Sequence, residues 1–398
     1  MKTLRILFVH EVSYLKKVIY EMHEFPELLS LKGHQIVFLE FDEGRKFWDK
    51  RTRSAETQVP GRVHKNTNIS LARPFQLGIP GLDRLLATVT VIPQLRQLLK
   101  HGSFDVVVLY AVPTYGFQTI KIARKSSTPV VFRALDVSHK IRNSILSPLI
   151  KAVERFVYRN ADLISANNLA MADYCKRLSA RTKPSEVHYP PLDLEHFKSS
   201  GKDLGLAESL GISESDKVIT YMGSFFYFSG LHAAVAEFAR SSKPDQKFLL
   251  IGGGELEKEL REQVSRLGLS GRVIFTGFVP YAELPRYLKL SDIAINTLER
   301  NLVADVALPN KVLQYVASGL SVVSTELAGL KSIFQNSGAI TWANSPEQVM
   351  AKALHILSDK PTGQLRTSNV GEVLKAFEPS VSVSSFESAL LNQVRGER

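Results

Sequence analysis

Short apolar runs recur along the first half of the chain, at residues 5–10, 35–41, 105–110, 130–133 and 163–166, each rich in Val, Ile, Leu or Phe. Runs of this length without polar alternation fit strands buried on both faces of a sheet. Helix-length segments lie between them at 14–31, 82–100, 115–125 and 145–159, and the first closes on Lys32-Gly33-His34, a helix stop followed by a strand. The alternation predicts βαβ units and a parallel sheet. Residues 42–80 break it and read as an irregular basic stretch.

The pattern restarts after Tyr189-Pro190-Pro191, whose fixed backbone suits a connection between domains. Strands are predicted at 217–222, 247–251, 273–276, 293–296 and 321–324, with helices at 232–241, 255–267, 282–290 and 311–317. The expected fold class is therefore α/β: two facing, Rossmann-like, doubly wound domains with a ligand cleft at the strand C-termini. The expected boundaries are 1–195 for the first domain and 196–379 for the second, with a last helix at about 380–398 packing back on the first. No sequence repeat or low-complexity tract interrupts this plan.

Composition narrows the function classes. The chain has 398 residues, 44% hydrophobic and 22% charged, which excludes a predominantly disordered chain. Cys175 is the only cysteine, so no intrachain disulfide framework exists, and a reducing compartment such as the cytoplasm is expected. No apolar run is long enough to span a bilayer, and the N-terminal run is too short for a secretory signal. Charge is uneven: residues 1–198 carry 30 Lys and Arg against 18 Asp and Glu, whereas residues 199–398 carry 20 against 21. A basic half points to phosphates, nucleic acid or an anionic membrane surface, or to an ordinary solvated basic surface. Zinc spacing and RNA-binding aromatic motifs are absent, so nucleic acid is not expected as a partner.

Three glycine-bearing turns are candidates for chemistry. Gly223-Ser224 follows a strand and precedes a helix starting near Gly230, where backbone N–H groups can hold phosphate. Gly252-Gly253-Gly254 stands in the next strand–helix turn; it is not a dinucleotide fingerprint, but it permits close approach of a nucleotide or simply serves the loop. In Leu308-Pro309-Asn310-Lys311-Val312-Leu313-Gln314-Tyr315, proline opens a helix and Lys311 lies in its first turn. Its ammonium can add to the helix dipole in binding a diphosphate, and Gln314, about one turn on, can bond a ribose. The alternative is a helix with a solvated lysine. No metal site is expected, since there is no D-x-D pair, and no nucleophile elbow exists.

These motifs resemble the retaining glycosyltransferases of family 4, which have the GT-B fold. Gly277-Phe278-Val279-Pro280, the helix at 284–290, Ser291-Asp292-Ile293-Ala294-Ile295 and the stretch 308–323 follow that family's order and spacing. Lys32-Gly33-His34-Gln35-Ile36-Val37, the segment from Val153-Glu154-Arg155 to Ser165-Ala166, and Tyr189-Pro190-Pro191-Leu192-Asp193 resemble it more loosely. The resemblance implies donor binding by Gly223, Ser224, Gly253, Phe278, Val279, Asp305, Leu308, Pro309, Asn310 and Gln314. It implies catalytic roles for Lys311, Arg133 and Asp136; Asp136 reads equally as a helix N-cap. His10 and His139 are weaker candidates. The chain departs from the family at four places. Its two glutamates are Val306 and Gln314 here, its cation before Gly230 is Ser229, and its paired-glycine loop is His10-Glu11-Val12-Ser13.

The expected activity is transfer of a sugar from a nucleotide-diphosphate sugar, with retention and without a metal. The expected acceptor is a lipid-linked or membrane-associated glycan. Lys46, Phe47, Trp48, Lys50, Arg51 and Arg53 place cations beside aromatic rings, a composition suited either to an anionic lipid interface or to a solvated loop with its rings tucked inward. The nucleotide sugar is a substrate and no cofactor is expected. A peripheral position on the inner face of the membrane follows. The alternatives are a soluble small-molecule acceptor, or an inactive GT-B-like scaffold given the missing glutamates.

Overall fold

The computed structural model describes residues 2–42, 56–79, 81–101, 103–141, 145–198, 201–359 and 370–396. Lys46, Phe47, Trp48, Lys50, Arg51 and Arg53 lie outside them. The chain forms two compact units, one of Met1–Pro191 with Pro379–Arg398 and the other of Leu192–Glu378.

The first unit runs β1 (Arg5–Val9), α1 (Glu21–Leu31), β2 (Gln35–Leu39), β3 (Thr57–Pro60), β4 (Asn68–Ala72), α2 (Leu82–His101) and β5 (Val106–Leu109). It continues with α3 (Gly116–Lys125), β6 (Val130–Ala134), α4 (Ser147–Asn160), β7 (Leu163–Ala166), α5 (Leu169–Ser179) and β8 (Ser185–Val187). The sheet order is β3-β4-β2-β1-β5-β6-β7-β8, and every pairing is parallel except that of β3 with β4. Central strands such as Ile6–Val9 and Val106–Leu109 are fully buried, which is why their sequences show no polar alternation. Crossover helices between parallel strands cover the faces of such a sheet. Helices α2, α3, α4 and α5 pack in a row on one of them.

Two expectations are corrected here. Residues 42–80 are not uniformly irregular. They contain β4, whose Ile69, Leu71 and Ala72 are buried as it pairs in parallel with β2, and the edge strand β3. The first helix starts at Glu21 rather than at 14, because Tyr14 is pinned to the sheet. Its backbone N–H donates to Glu40 Oε2 at 2.6 Å, and its ring lies 5.2 Å from that of Phe38.

The second unit begins with α6 (Leu194–Phe197), α7 (Leu204–Ser209), β9 (Lys217–Ser224), α8 (Leu231–Ser241), β10 (Gln246–Gly253), α9 (Glu257–Arg266) and β11 (Val273–Gly277). There follow α10 (Leu284–Leu288), β12 (Ile293–Asn296), α11 (Leu302–Val306), α12 (Asn310–Ala317), β13 (Ser321–Thr325), α13 (Ala328–Phe334), β14 (Ile340–Ala343), α14 (Pro346–Asp359) and α15 (Val370–Lys375). Its sheet is parallel throughout, in the order β11-β10-β9-β12-β13-β14. The last helix, α16 (Pro379–Arg395), belongs to the first unit: Phe386 packs on Phe25 with ring centroids 4.6 Å apart. Glu387 accepts from His34 Nε2 at 2.9 Å and pairs with Lys32.

Candidate active site

In the second unit the candidate donor residues gather at the C-terminal edge of the sheet. β9 ends on Gly223-Ser224 and β10 on Gly252-Gly253, side by side in register. A Cβ on Gly252 would lie 2.1 Å from the Gly223 carbonyl oxygen, and both glycines have left-handed φ, +124° and +129°. Only glycine permits this approach, which leaves a backbone floor at the strand ends. Phe278 borders that floor: its ring would lie 3.2 Å from a Cβ on Gly253, and it is 67% exposed.

Lys311 covers the same floor from α12. Pro309 is the N-cap, so Lys311 is the second helical residue, and its Nζ lies 3.5 Å from where a Gly223 Cβ would stand. The ammonium sits 3.8 Å from the centroid of the Tyr221 ring. Tyr315, one turn on, fixes the helix to β9 by accepting from the Met222 N–H at 2.5 Å. None of the hydrogen bonds or ion pairs among the described residues involves the Lys311 side chain. Burial without a carboxylate partner lowers its pKa from the ordinary lysine value to about 7. A cation so placed lacks an anion.

The other donor-side candidates have mixed duties. Gln314 is half-buried and its side-chain amide is free of hydrogen bonds among the described residues. Asp305 Oδ1 accepts from the Ala328 N–H at 3.2 Å, at the start of α13, and so serves as a cap. Leu308 is buried beneath the entry to α12, while Pro309, Asn310 and Ser224 are half-buried and Val279 borders Phe278 in sequence. Val306 is buried in a site of apolar burial where the resemblance expects glutamate, and Ser229 is fully buried with an unpaired hydroxyl where it expects a cation. Two exposed rings were not foreseen: Phe226 and Tyr227 are 46% and 53% exposed just after β9. The run Phe225-Phe226-Tyr227-Phe228 was the signal available for them.

In the first unit, Arg133 and Asp136 fall at the C-terminal end of β6 but differ in kind. The Arg133 guanidinium is fully buried and spends its donors within the protein. Nε and one terminal nitrogen bond the two carboxylate oxygens of Glu21 at 2.6 and 2.7 Å, and the other terminal nitrogen reaches Ser165 Oγ at 2.9 Å and the Ala166 carbonyl at 3.2 Å. Burial opposes its charge, and Glu21 outweighs that cost, so the guanidinium stays protonated. With four of its five N–H donors so engaged and its side chain fully buried, Arg133 is a positioning residue rather than a group that touches substrate. Asp136, two residues beyond the strand, keeps solvent contact. The protein around it, and secondarily Glu21, raise its carboxyl from the ordinary value to about 6.

The histidines are structural. His139 Nδ1 lies 2.6 Å from Glu154 Oε2 in the core. His10 stacks on Tyr110 at 5.1 Å, and its Nδ1 accepts the Glu11 N–H at 2.8 Å. Burial, followed by Lys17, His23 and Arg84, pushes its pKa down to about 3, so it stays neutral. Arg62 and Arg73, within the basic stretch 42–80, are consumed internally: Arg62 donates to the Tyr14 carbonyl at 3.0 Å and Arg73 pairs with the buried Glu40. Among the described residues no cluster of His, Cys, Asp and Glu is placed to hold a metal ion, and no helix is long and apolar enough to cross a membrane.

Comparison with known proteins bears on the family and the fold. Residues 216–359 match the family described as glycosyl transferases group 1, and residues 30–191 match the glycosyl transferase 4-like domain. The N-acetyl-alpha-D-glucosaminyl L-malate synthase of Bacillus anthracis is 23% identical over 63% of this chain and 65% of its own length. A Campylobacter jejuni N-acetylgalactosamine-N,N'-diacetylbacillosaminyl-diphospho-undecaprenol 4-alpha-N-acetylgalactosaminyltransferase is 26% identical over 41% of each chain. The chain thus spans less than two thirds of the length of these curated relatives. The crystal structure of Anabaena HepE in complex with UDP superposes over 98% of this chain and 100% of that one, with a TM-score of 0.73 at 16% identity. Two parallel α/β units, a glycine floor covered by an α12 lysine, and both family matches lead to one conclusion: the chain belongs to the group 1 glycosyltransferases of family 4 type, with the GT-B fold.

Proposed function

We propose that the protein transfers a sugar, with retention and without a metal, from a nucleotide-diphosphate sugar bound by the second unit to an acceptor hydroxyl oriented by the first. The observation that carries this reading is Lys311, a half-buried lysine whose ammonium lacks an anionic partner above the Gly223–Gly252 floor. As the C1–O bond to the diphosphate breaks, negative charge grows on the leaving oxygens, and the Lys311 ammonium and the amides at Gly223 and Ser224 stabilise it. The acceptor oxygen bonds C1 on the same face, and its proton passes to the departing diphosphate. Asp136 accepts a hydrogen bond from that hydroxyl in its ionised form, and Glu21 and Arg133 hold the strand end that carries it.

A lipid-linked or membrane-associated glycan is the proposed acceptor class, supported by the basic first half and by the diphospho-undecaprenol named for the Campylobacter relative. The proposed location is the inner face of the membrane. A second reading, a nucleotide-binding scaffold without transfer, is favoured by the apolar Val306 and the buried Ser229. Incubation with a panel of UDP-, GDP- and dTDP-sugars separates the two: release of free sugar supports the enzyme, and nucleotide binding without release supports the scaffold.

Two results are expected from the donor side. Gln314→Leu should weaken nucleoside diphosphate binding by about 1–3 kcal/mol through an unpaired ribose hydroxyl, and calorimetry showing unchanged affinity would remove α12 from the ribose. The pH profile of kcat/KM should be bell-shaped. Its acid limb near pH 6 reflects protonation of Asp136, and its alkaline limb near pH 7 reflects loss of the Lys311 proton. Because arginine stays charged, Lys311→Arg should abolish the alkaline limb alone. An alkaline limb that persists in that variant belongs to another group.

A further inference from the structure

The row α2, α3, α4 turns an unusual face to solvent. The three helices together carry nine Lys and Arg against two carboxylates, Asp83 and Glu154, and both carboxylates are buried. On α2, Leu85, Val89, Arg96 and Lys100 fall at helical spacing along one exposed stripe. α3 adds the exposed Phe117, Lys121, Arg124 and Lys125. α4 adds Leu149, Lys151, Arg155 and Arg159, also exposed. None of the eight exposed cations is ion-paired among the described residues; Arg124 alone has a side-chain hydrogen-bond partner, the neutral Asn160 at 3.1 Å.

Between α2 and α3 this face opens into a groove of about 610 Å³. Arg96, Lys100, Lys121 and Lys125 rim it, and Ile92 and Phe117 form its apolar floor. The Lys121 ammonium lies 5.6 Å from the Phe117 ring and 5.4 Å from that of Phe156, so the cation stands directly over apolar surface. Leu85, Val89 and Leu149 are 62%, 63% and 61% exposed. Unpaired cations attract phosphate-bearing surfaces, and aliphatic and aromatic side chains among them gain by entering an acyl layer. A nucleic acid would satisfy the charges and leave the leucines and valine in water.

We infer that the outer face of α2, α3 and α4 docks onto an anionic phospholipid bilayer, with lipid headgroup phosphates in the α2–α3 groove. The inference deepens the proposed membrane-linked acceptor and rests on that reading for its purpose alone; the binding follows from this face's charge and apolar exposure. Residues 46–53, for which the sequence leaves a lipid interface and a solvated loop open, lie outside the described residues.

The full chain should float with vesicles of phosphatidylglycerol and phosphatidylcholine, stay behind with pure phosphatidylcholine, and release as salt rises. The combined variant Arg96→Glu, Lys100→Glu, Lys121→Glu, Lys125→Glu should lose at least about tenfold in vesicle partition, since each basic residue contributes to it. If that variant folds poorly by thermal melting, the same four positions as glutamine serve, with the loss expected in the same direction. Leu85→Ser with Val89→Ser should weaken partition at unchanged charge. Wild-type partition by the folded charge variants would overturn the inference, as would equal partition onto neutral vesicles or tighter binding to duplex DNA. Hydrolysis of nucleotide sugars in solution reads the enzymatic proposal separately: its absence in a wild-type protein that still floats would sink the activity and leave this surface standing.

Discussion

Lys311→Met is expected to lower sugar transfer by at least about 10²-fold and, at the same time, to raise the melting temperature. The two effects share one cause. The ammonium of this half-buried residue packs on the Tyr221 ring without a carboxylate, and desolvation takes its pKa from the lysine value to about 7. In the unfolded chain the same group titrates at the ordinary lysine value. Between these two values the unfolded state binds more protons, so stability rises with pH across that window, and the charge costs stability below it. Methionine fills similar volume without charge, and so removes the cost together with the diphosphate's partner. Turnover assays and thermal melts at neutral pH check the pair of outcomes. Transfer within twofold of wild type would remove Lys311 from the mechanism, and a lowered melting temperature would show it to be a structural cation. Added nucleoside diphosphate should stabilise the wild type more than the variant, because the ligand supplies the missing anion.

The second large effect is expected at the Glu21–Arg133 pair. Glu21→Ala strands a fully buried guanidinium, and breaking such a pair from one side costs about 3–5 kcal/mol, read as a lowered denaturation midpoint. Replacing both partners, Glu21→Leu with Arg133→Met, should recover much of the loss, because neither charge is then left unpaired. A merely structural role would end there. Glu21 also raises the Asp136 carboxyl, so the double variant should move the acid limb of kcat/KM below about pH 6. An unmoved acid limb would separate Asp136 from this pair. A double variant as unstable as Glu21→Ala would show that Ser165 and the Ala166 carbonyl, rather than the ion pair, dominate the site.

Other elements respond to neither change. His139 is held by Glu154, and His10 is neutral across the working range because burial takes it to about 3. His10 should therefore contribute no limb to the pH profile.

What the sequence determined by itself was local. The apolar runs at 5–10 and 217–222 specify buried parallel strands because a fully covered strand admits no polar alternation, and β1 and β9 stand there. The order proline, asparagine, lysine places Lys311 in a first helical turn through backbone preferences alone. Tertiary structure decided what lies opposite each residue. Nothing near Arg133 announces Glu21, 112 positions away, which turns an apparent substrate-facing cation into an internal brace. Nothing near Gly252 announces that the Gly223 carbonyl fills the space where its Cβ would be. β4 hid in a basic stretch because Arg62 and Arg73 read as solvated until the Tyr14 carbonyl and the Glu40 carboxylate claimed them. The solvent-facing charge of α2, α3 and α4 was likewise visible in sequence only as an excess over half the chain. Its concentration on one face follows from the packing of the three helices in a row. Periodicity reports how a segment meets its own neighbours along the chain, whereas burial, pairing and the resulting pKa depend on groups that only folding brings within a few ångströms.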